Sequence, residues 1–193
     1  MGDYGKHGYS HGNVKHGEHE EAHKEHINKY KMAHMIGVAE HMRERAEDYG
    51  VDPDVAYMVG LMHDIGYLEG RAQHEQKGAE MLKKIGVSEE VAQAISLHGT
   101  SPYTLESEQV DSPLLVLLYE ADMSVDARGY RVGFDKRLKD IECRLRDTEY
   151  YDVAVRTSTE TVEYVKQWQK EHGVEKPPRD FFYHKHREEK GRD

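Results

Sequence analysis

The chain has 193 residues, 37% hydrophobic and 33% charged, with a formal net charge of −10. That suffices for one domain with polar ends, and it is too acidic for stable, non-specific binding to DNA, RNA or an anionic membrane. A lone cysteine, Cys143, excludes an internal disulfide, no apolar run reaches the ~20 residues of a membrane span, and the N-terminus lacks a signal-peptide core, so a soluble cytoplasmic protein is expected.

Residues 1–26 are polar and carry His7, His11, His16, His19, His23 and His26. Without apolar periodicity they read as a disordered leader, and His-rich tracts of this kind chelate Zn, Ni or Cu. From Ile27 the pattern becomes helical, with Tyr30, His34, Val38, Met42 and Ala46 on one face and a stop at Gly50. Asp52-Pro53 reads as a helix cap and first turn, opening a second helix with Val55, Met58, Val59 and Met62 on its apolar side and His63-Asp64 at its end. A third helix covers His74 to Ile85. A fourth is capped by Ser88 and aligns Val91, Ala94, Ile95 and His98.

The segment from Gly99 to Ser112 is long for a connection, which marks it as a functional loop. Pro113 opens an apolar run, Leu114 to Leu118, that could be a buried strand. Its proline start and its continuation into Tyr119-Glu120-Ala121-Asp122 favour a central helix. Phe134 to Arg146 and Tyr151 to His172 read as two further amphipathic helices, the second packing through Val155, Val162, Val165 and Trp168. The expected architecture is all-α: a folded domain over 27–172, a core of about five helices followed by two more, and a charged tail over 173–193. The Tyr- and Trp-containing C-terminal region, read as exposed, is a candidate contact surface for a homodimer.

His34, His74, His98 and Asp122 lie in line with the core-facing stripes of four helices, and His63-Asp64 closes a fifth apolar run. Titratable groups are rarely buried without partners, and a carboxylate after Leu114–Leu118 would be costly alone. A shared divalent cation would satisfy all six groups, since imidazole and carboxylate suit a borderline or harder metal.

The order His34, His63-Asp64, Asp122 resembles the H…HD…D signature of the HD-domain superfamily of metal-dependent phosphohydrolases, over roughly residues 27–146. With His74 and His98 between, it is similar to the subgroup that includes diadenosine-tetraphosphate-cleaving HD proteins. The resemblance implies a compact helical bundle with a first metal at His34, His63, Asp64 and Asp122. It implies a second metal at Asp64, His74 and His98, so that Asp64 bridges the two and is the central catalytic residue. Fe or Mn is the expected metal, with Mg, Zn, Ni and Co compatible. The implied chemistry is attack of a metal-activated hydroxide on a phosphate ester or anhydride of a nucleotide or other small phosphorylated metabolite. The absence of a Gly-Tyr-Pro motif after a second His pair argues against a cyclic-dinucleotide phosphodiesterase. Lys31, Lys77, Arg71, Arg128, Arg131 and Thr100 are candidate substrate contacts, with Ser101 and Tyr103 beside Thr100. Two alternatives use the same ligands: a di-iron oxygenase, and a non-catalytic metal or ligand sensor.

Overall fold

The computed structural model describes residues 16–175 and 177. Helix α1 (His16–Arg45) continues into a 3-10 turn (Ala46–Tyr49) closed by Gly50 in the left-handed region. It starts well before Ile27, where the apolar periodicity begins, and takes in residues 16–26 of the polar leader. Residues 1–15 and nearly all of the expected tail lie outside the described residues. Helix α2 (Pro53–Met62) begins as expected, with the Asp52 carboxylate accepting from the Asp54 and Val55 amides. A 3-10 turn (Ile65–Glu69) leads to α3 (His74–Lys84). Helix α4 (Glu89–Leu97) follows, with the Ser88 hydroxyl accepting from the Val91 amide.

The segment after His98 holds a 3-10 turn (Pro102–Thr104) and the short helix α5 (Ser107–Val110). Helices α6 (Pro113–Asp122), α7 (Phe134–Leu145) and α8 (Tyr151–His172) complete the bundle. The fold is all-α, with one isolated bridge between Val125 and Arg131 among the described residues.

Helix α6 is the axis. Every residue from Leu114 to Ala121 is buried, and it packs against α1, α2, α4 and α8. The apolar run is therefore a central helix, hydrophobic all round because it is covered on all sides. Close approach elsewhere depends on glycine. A Cβ on Gly66 would lie 1.8 Å from the His74 carbonyl oxygen, so only glycine lets the turn after His63-Asp64 sit against the start of α3. Gly37 and Gly129 press the loop after α6 onto α1 in the same way, a Cβ on Gly37 falling 2.5 Å from the Gly129 oxygen.

Trp168 is 5% exposed and stacks on Tyr49. That corrects its placement in an exposed contact surface, because the indole belongs to the core between α8 and the end of α1. Among the described residues no helix is long and apolar enough to cross a membrane.

Candidate metal centre

All six residues singled out from the sequence meet at one end of the bundle. His34 comes from the middle of α1, while His63 and Asp64 follow the last residue of α2. His74 is the first residue of α3, His98 caps α4, and Asp122 ends α6. His34 Nε2 lies 2.9 Å from an Asp122 oxygen. Around Asp64 stand His74 Nε2 at 3.2 Å, His63 Nε2 at 3.5 Å and His98 Nε2 at 3.6 Å. Ligand atoms of His34, His63 and Asp122 lie within 4.8 Å of one another, as do those of His63, Asp64 and His98. His63 is thus common to both groups, with rings of His34 and His98 on either side at 5.4 and 5.1 Å.

The four imidazoles are oriented alike. Each Nδ1 meets a backbone carbonyl: His34 that of Asp126 at 3.0 Å, His63 that of Gly60 at 2.8 Å, His74 that of Arg71 at 3.2 Å, and His98 that of Ile95 at 2.7 Å. A carbonyl only accepts, so Nδ1 carries the hydrogen and Nε2 faces the carboxylates, donating to them where the ring is protonated and presenting a lone pair where it is neutral. Lone pairs facing carboxylate oxygens repel unless a cation lies between them. Carbonyl anchoring of the far nitrogen is also how metal-bound histidines are oriented.

Burial pushes the His63 imidazolium down to about 4, so this ring is neutral near neutral pH. Its Nε2 is buried and has no hydrogen-bond partner among the described residues, and it is the donor a metal would use. The carboxylates stay ionised although burial opposes it. His63, contacts with His74 and His98, and the Lys31 charge hold Asp64 well below the usual range. His34, Arg137 and His63 do the same for Asp122. The donor set fits one or more divalent cations.

The centre forms the floor of a cavity of about 750 Å³. Of the expected substrate contacts, Lys31, Arg71 and Arg128 line it. Lys31 Nζ lies 2.5 Å from Asp64 and 3.8 Å above the Tyr67 ring, and Tyr67 in turn rests against His74 at 4.0 Å. Three of the expected contacts do not line the cavity. Lys77 donates to the Glu69 carbonyl, one turn of chain away from the metal ligands. Arg131 is 9% exposed and paired with Glu44 at 2.6 Å. The Thr100 carbonyl accepts from the Tyr119 hydroxyl. The long segment after His98 packs on α8, where Ser101 donates to Glu160, and among the described residues it contributes only Gly99 to the cavity.

The opposite wall comes from α7, which sequence reasoning missed. Arg137, Asp140, Arg144 and Leu145 line it. Arg137 reaches deepest: Nε donates to the Asp122 carbonyl at 3.1 Å, Nη2 to its carboxylate at 3.3 Å, and Nη1 to Asp140 at 3.0 Å. The signal was present, since Arg137 stands between Phe134 and Leu138 on the apolar stripe that continues to Ile141.

Residues 32–127 match the family model of the HD domain, a span that contains all six ligand candidates. Among curated relatives, ribonuclease Y of Lawsonia intracellularis is 33% identical over 119 residues, covering 58% of this chain and 22% of that protein. Ribonuclease Y of Geobacter sulfurreducens is 32% identical over 129 residues, covering 59% and 24%. The chain therefore spans about a quarter of the length of these relatives. No solved structure shows a significant match. The ligand order along the chain, its convergence at one end of a helical bundle and the family match agree, and the chain belongs to the HD-domain superfamily.

Proposed function

We propose that this chain is a metal-dependent phosphohydrolase acting on a phosphate ester or anhydride of a nucleotide or other small phosphorylated metabolite. The supporting observation is the common orientation of four histidines, each with Nδ1 on a carbonyl and Nε2 toward two ionised carboxylates. Bound divalent metal would supply a nucleophilic water of lowered pKa and a Lewis acid for phosphoryl oxygens. The division expected from the family gives His34, His63, Asp64 and Asp122 one ion and Asp64, His74 and His98 another. Asp64 is buried among His63, His74 and His98, which suits it to the shared position.

The chain's own groups would then bind and orient the phosphate. Lys31 is held at the Asp64 carboxylate by charge and by the Tyr67 ring, so its ammonium stands where a phosphoryl group would meet the centre. Arg128 and Arg144 face the same cavity from two different elements. Its volume of about 750 Å³ matches a nucleotide-sized ligand.

A second reading, cleavage of an RNA phosphodiester, is favoured by the likeness to proteins named as ribonucleases. The net charge of −10 opposes long contact with a polyanion. The purified chain, supplied with Mn²⁺ or Fe²⁺, is expected to release phosphate or nucleotide from at least one member of a panel of nucleotides, dinucleoside polyphosphates and phosphorylated metabolites. Asp64→Ala should lower that rate at least about a thousandfold, the scale set by removing a group that organises transition-state charge. Turnover of short RNA alone would select the second reading, and no turnover of RNA or of any panel member would refute both.

A further inference from the structure

Lys31 and four arginines line the cavity of a chain whose net charge is −10. Lys31 is engaged on Asp64 and Arg137 on Asp122. Arg71, Arg128 and Arg144 are not held by metal ligands, and they come from the turn before α3, the loop after α6 and α7. Arg71 lies over the Tyr150 ring, 4.8 Å from its centroid. The Asp126 carboxylate accepts from the backbone amides of Arg128 and Tyr130, which shapes the loop that presents Arg128. Arg144 is fixed most firmly. Its Nε donates to an Asp140 carboxylate oxygen at 3.0 Å, and Arg137 Nη1 donates to the same oxygen at 3.0 Å. The two guanidinium groups are therefore neighbours across one carboxylate, which leaves net positive charge on that wall. Held at Nε, Arg144 keeps the pair of Nη groups, and a guanidinium fork of this kind matches two oxygens of one phosphate.

We propose that Arg144 is a specificity-determining residue that binds a second phosphoryl group, next to the one at the metal ligands, with Arg128 and Arg71 adding positive charge in the same cavity. The favoured ligand then carries two phosphoryl groups close together, as an anhydride or a bisphosphate, and a lone monoester leaves Arg144 without a partner for its fork. The inference rests on reading the centre as a phosphoryl site. Arg128 and Arg144 lie beyond residues 32–127, the span that matches the HD-domain model, so this selectivity belongs to the wall that the rest of the chain adds. The link from Arg144 through Asp140 and Arg137 to Asp122 ties the second position to the first.

Calorimetric titration of the full chain, loaded with Mn²⁺ and freed of excess metal, tests it with methylphosphonate, methylenediphosphonate and trimethylenediphosphonate as probes. Wild type should bind one diphosphonate at least about tenfold tighter than methylphosphonate, the scale of charge-assisted hydrogen bonds from one guanidinium. Preference for the closely spaced diphosphonate marks an anhydride, and preference for the wider one marks a bisphosphate. R144Q should lose the preference while still binding methylphosphonate, with the retained metal, measured in the same samples, unchanged. K139Q removes the same charge from an exposed position on α7 that does not line the cavity, and it should keep the preference. Equal affinity of wild type for all three probes would overturn the proposal. So would a preference that survives in R144Q, or one lost as fully in K139Q, which would mark overall charge rather than a placed fork. Binding needs no turnover, so diphosphonate binding through Arg144 without hydrolysis of any panel member would refute the phosphohydrolase reading alone.

Discussion

At Asp122 one carboxylate meets His34 and Arg137, and the Arg137 Nε also takes the carbonyl of the same residue. Two parallel contacts from a planar guanidinium fix position and angle together, which a lysine ammonium cannot do. Arg137 is thus a positioning residue for a metal ligand. Arg137→Ala should weaken metal affinity about ten- to a hundredfold, the range for losing a partner of a ligand. Arg137→Lys should restore only part of it. Calorimetric titration checks both, and unchanged affinity in Arg137→Ala would contradict the role.

Gln73 stands immediately before His74 with φ +56°, in the left-handed region. Glycine removes that strain at some entropic cost, so Gln73→Gly should raise stability by a net ~0.5–1 kcal/mol in urea unfolding. A loss would show that the Gln73 side chain, rather than its backbone, matters. The six ligand candidates were legible because titratable side chains interrupt apolar stripes. Lys77 and Arg131 are expected from nearness in sequence to His74 and Asp122, and Thr100 as a donor in the long loop after His98, but position along a chain does not fix direction. Lys77 and Arg131 each found a closer partner, a carbonyl and a carboxylate, while Thr100 gives its backbone carbonyl to the Tyr119 hydroxyl and does not line the cavity.

Among the elements, α6 carries a second polar feature that the sequence did not announce. Glu120 is 1% exposed in the last turn of the core helix. It accepts from Arg45 at 3.2 Å, Gln169 at 3.0 Å and the Tyr49 hydroxyl, and it meets His41 at 3.3 Å. These partners come from α1, the turn that follows it and α8, so one carboxylate ties three elements to the central helix. Such a network is visible only after folding, because its members are scattered from position 41 to 169 and each alone looks like an ordinary surface polar group. Glu120→Ala leaves Arg45 buried without its central partner and should cost about 3–5 kcal/mol of stability. Urea denaturation measures this, and a loss under 1 kcal/mol would show that the network rearranges. The helices themselves were largely readable from caps and periodicity. The start of α1 was not, since its first turns have no apolar face to reveal them.

For the molecule as a whole, burial sets a pH dependence. His41 is held below its ordinary value of 6.5, chiefly by burial, against the opposing pull of Glu120 and with Arg131 and Arg45 adding to the depression. The unfolded chain therefore takes a proton on this residue before the folded chain does. Stability from this source is complete above about 6.5 and is lost as pH falls through that value. The thermal midpoint of the chain in chelator should drop between about pH 7 and pH 5.5, and the drop should be smaller in His41→Asn. An identical slope in both would contradict this assignment.

The central claim is that hydrolysis depends on metal held by His34, His63, Asp64, His74, His98 and Asp122. The most direct test removes metal with a chelator, returns Mn²⁺ in measured equivalents, and follows metal content and phosphate release in the same samples. Metal-free protein should release nothing, and the rate should rise with bound metal and saturate when the centre is full, with Asp64→Ala inactive throughout. Equal release by chelated and loaded protein, or full occupancy with no release from any substrate, would contradict it.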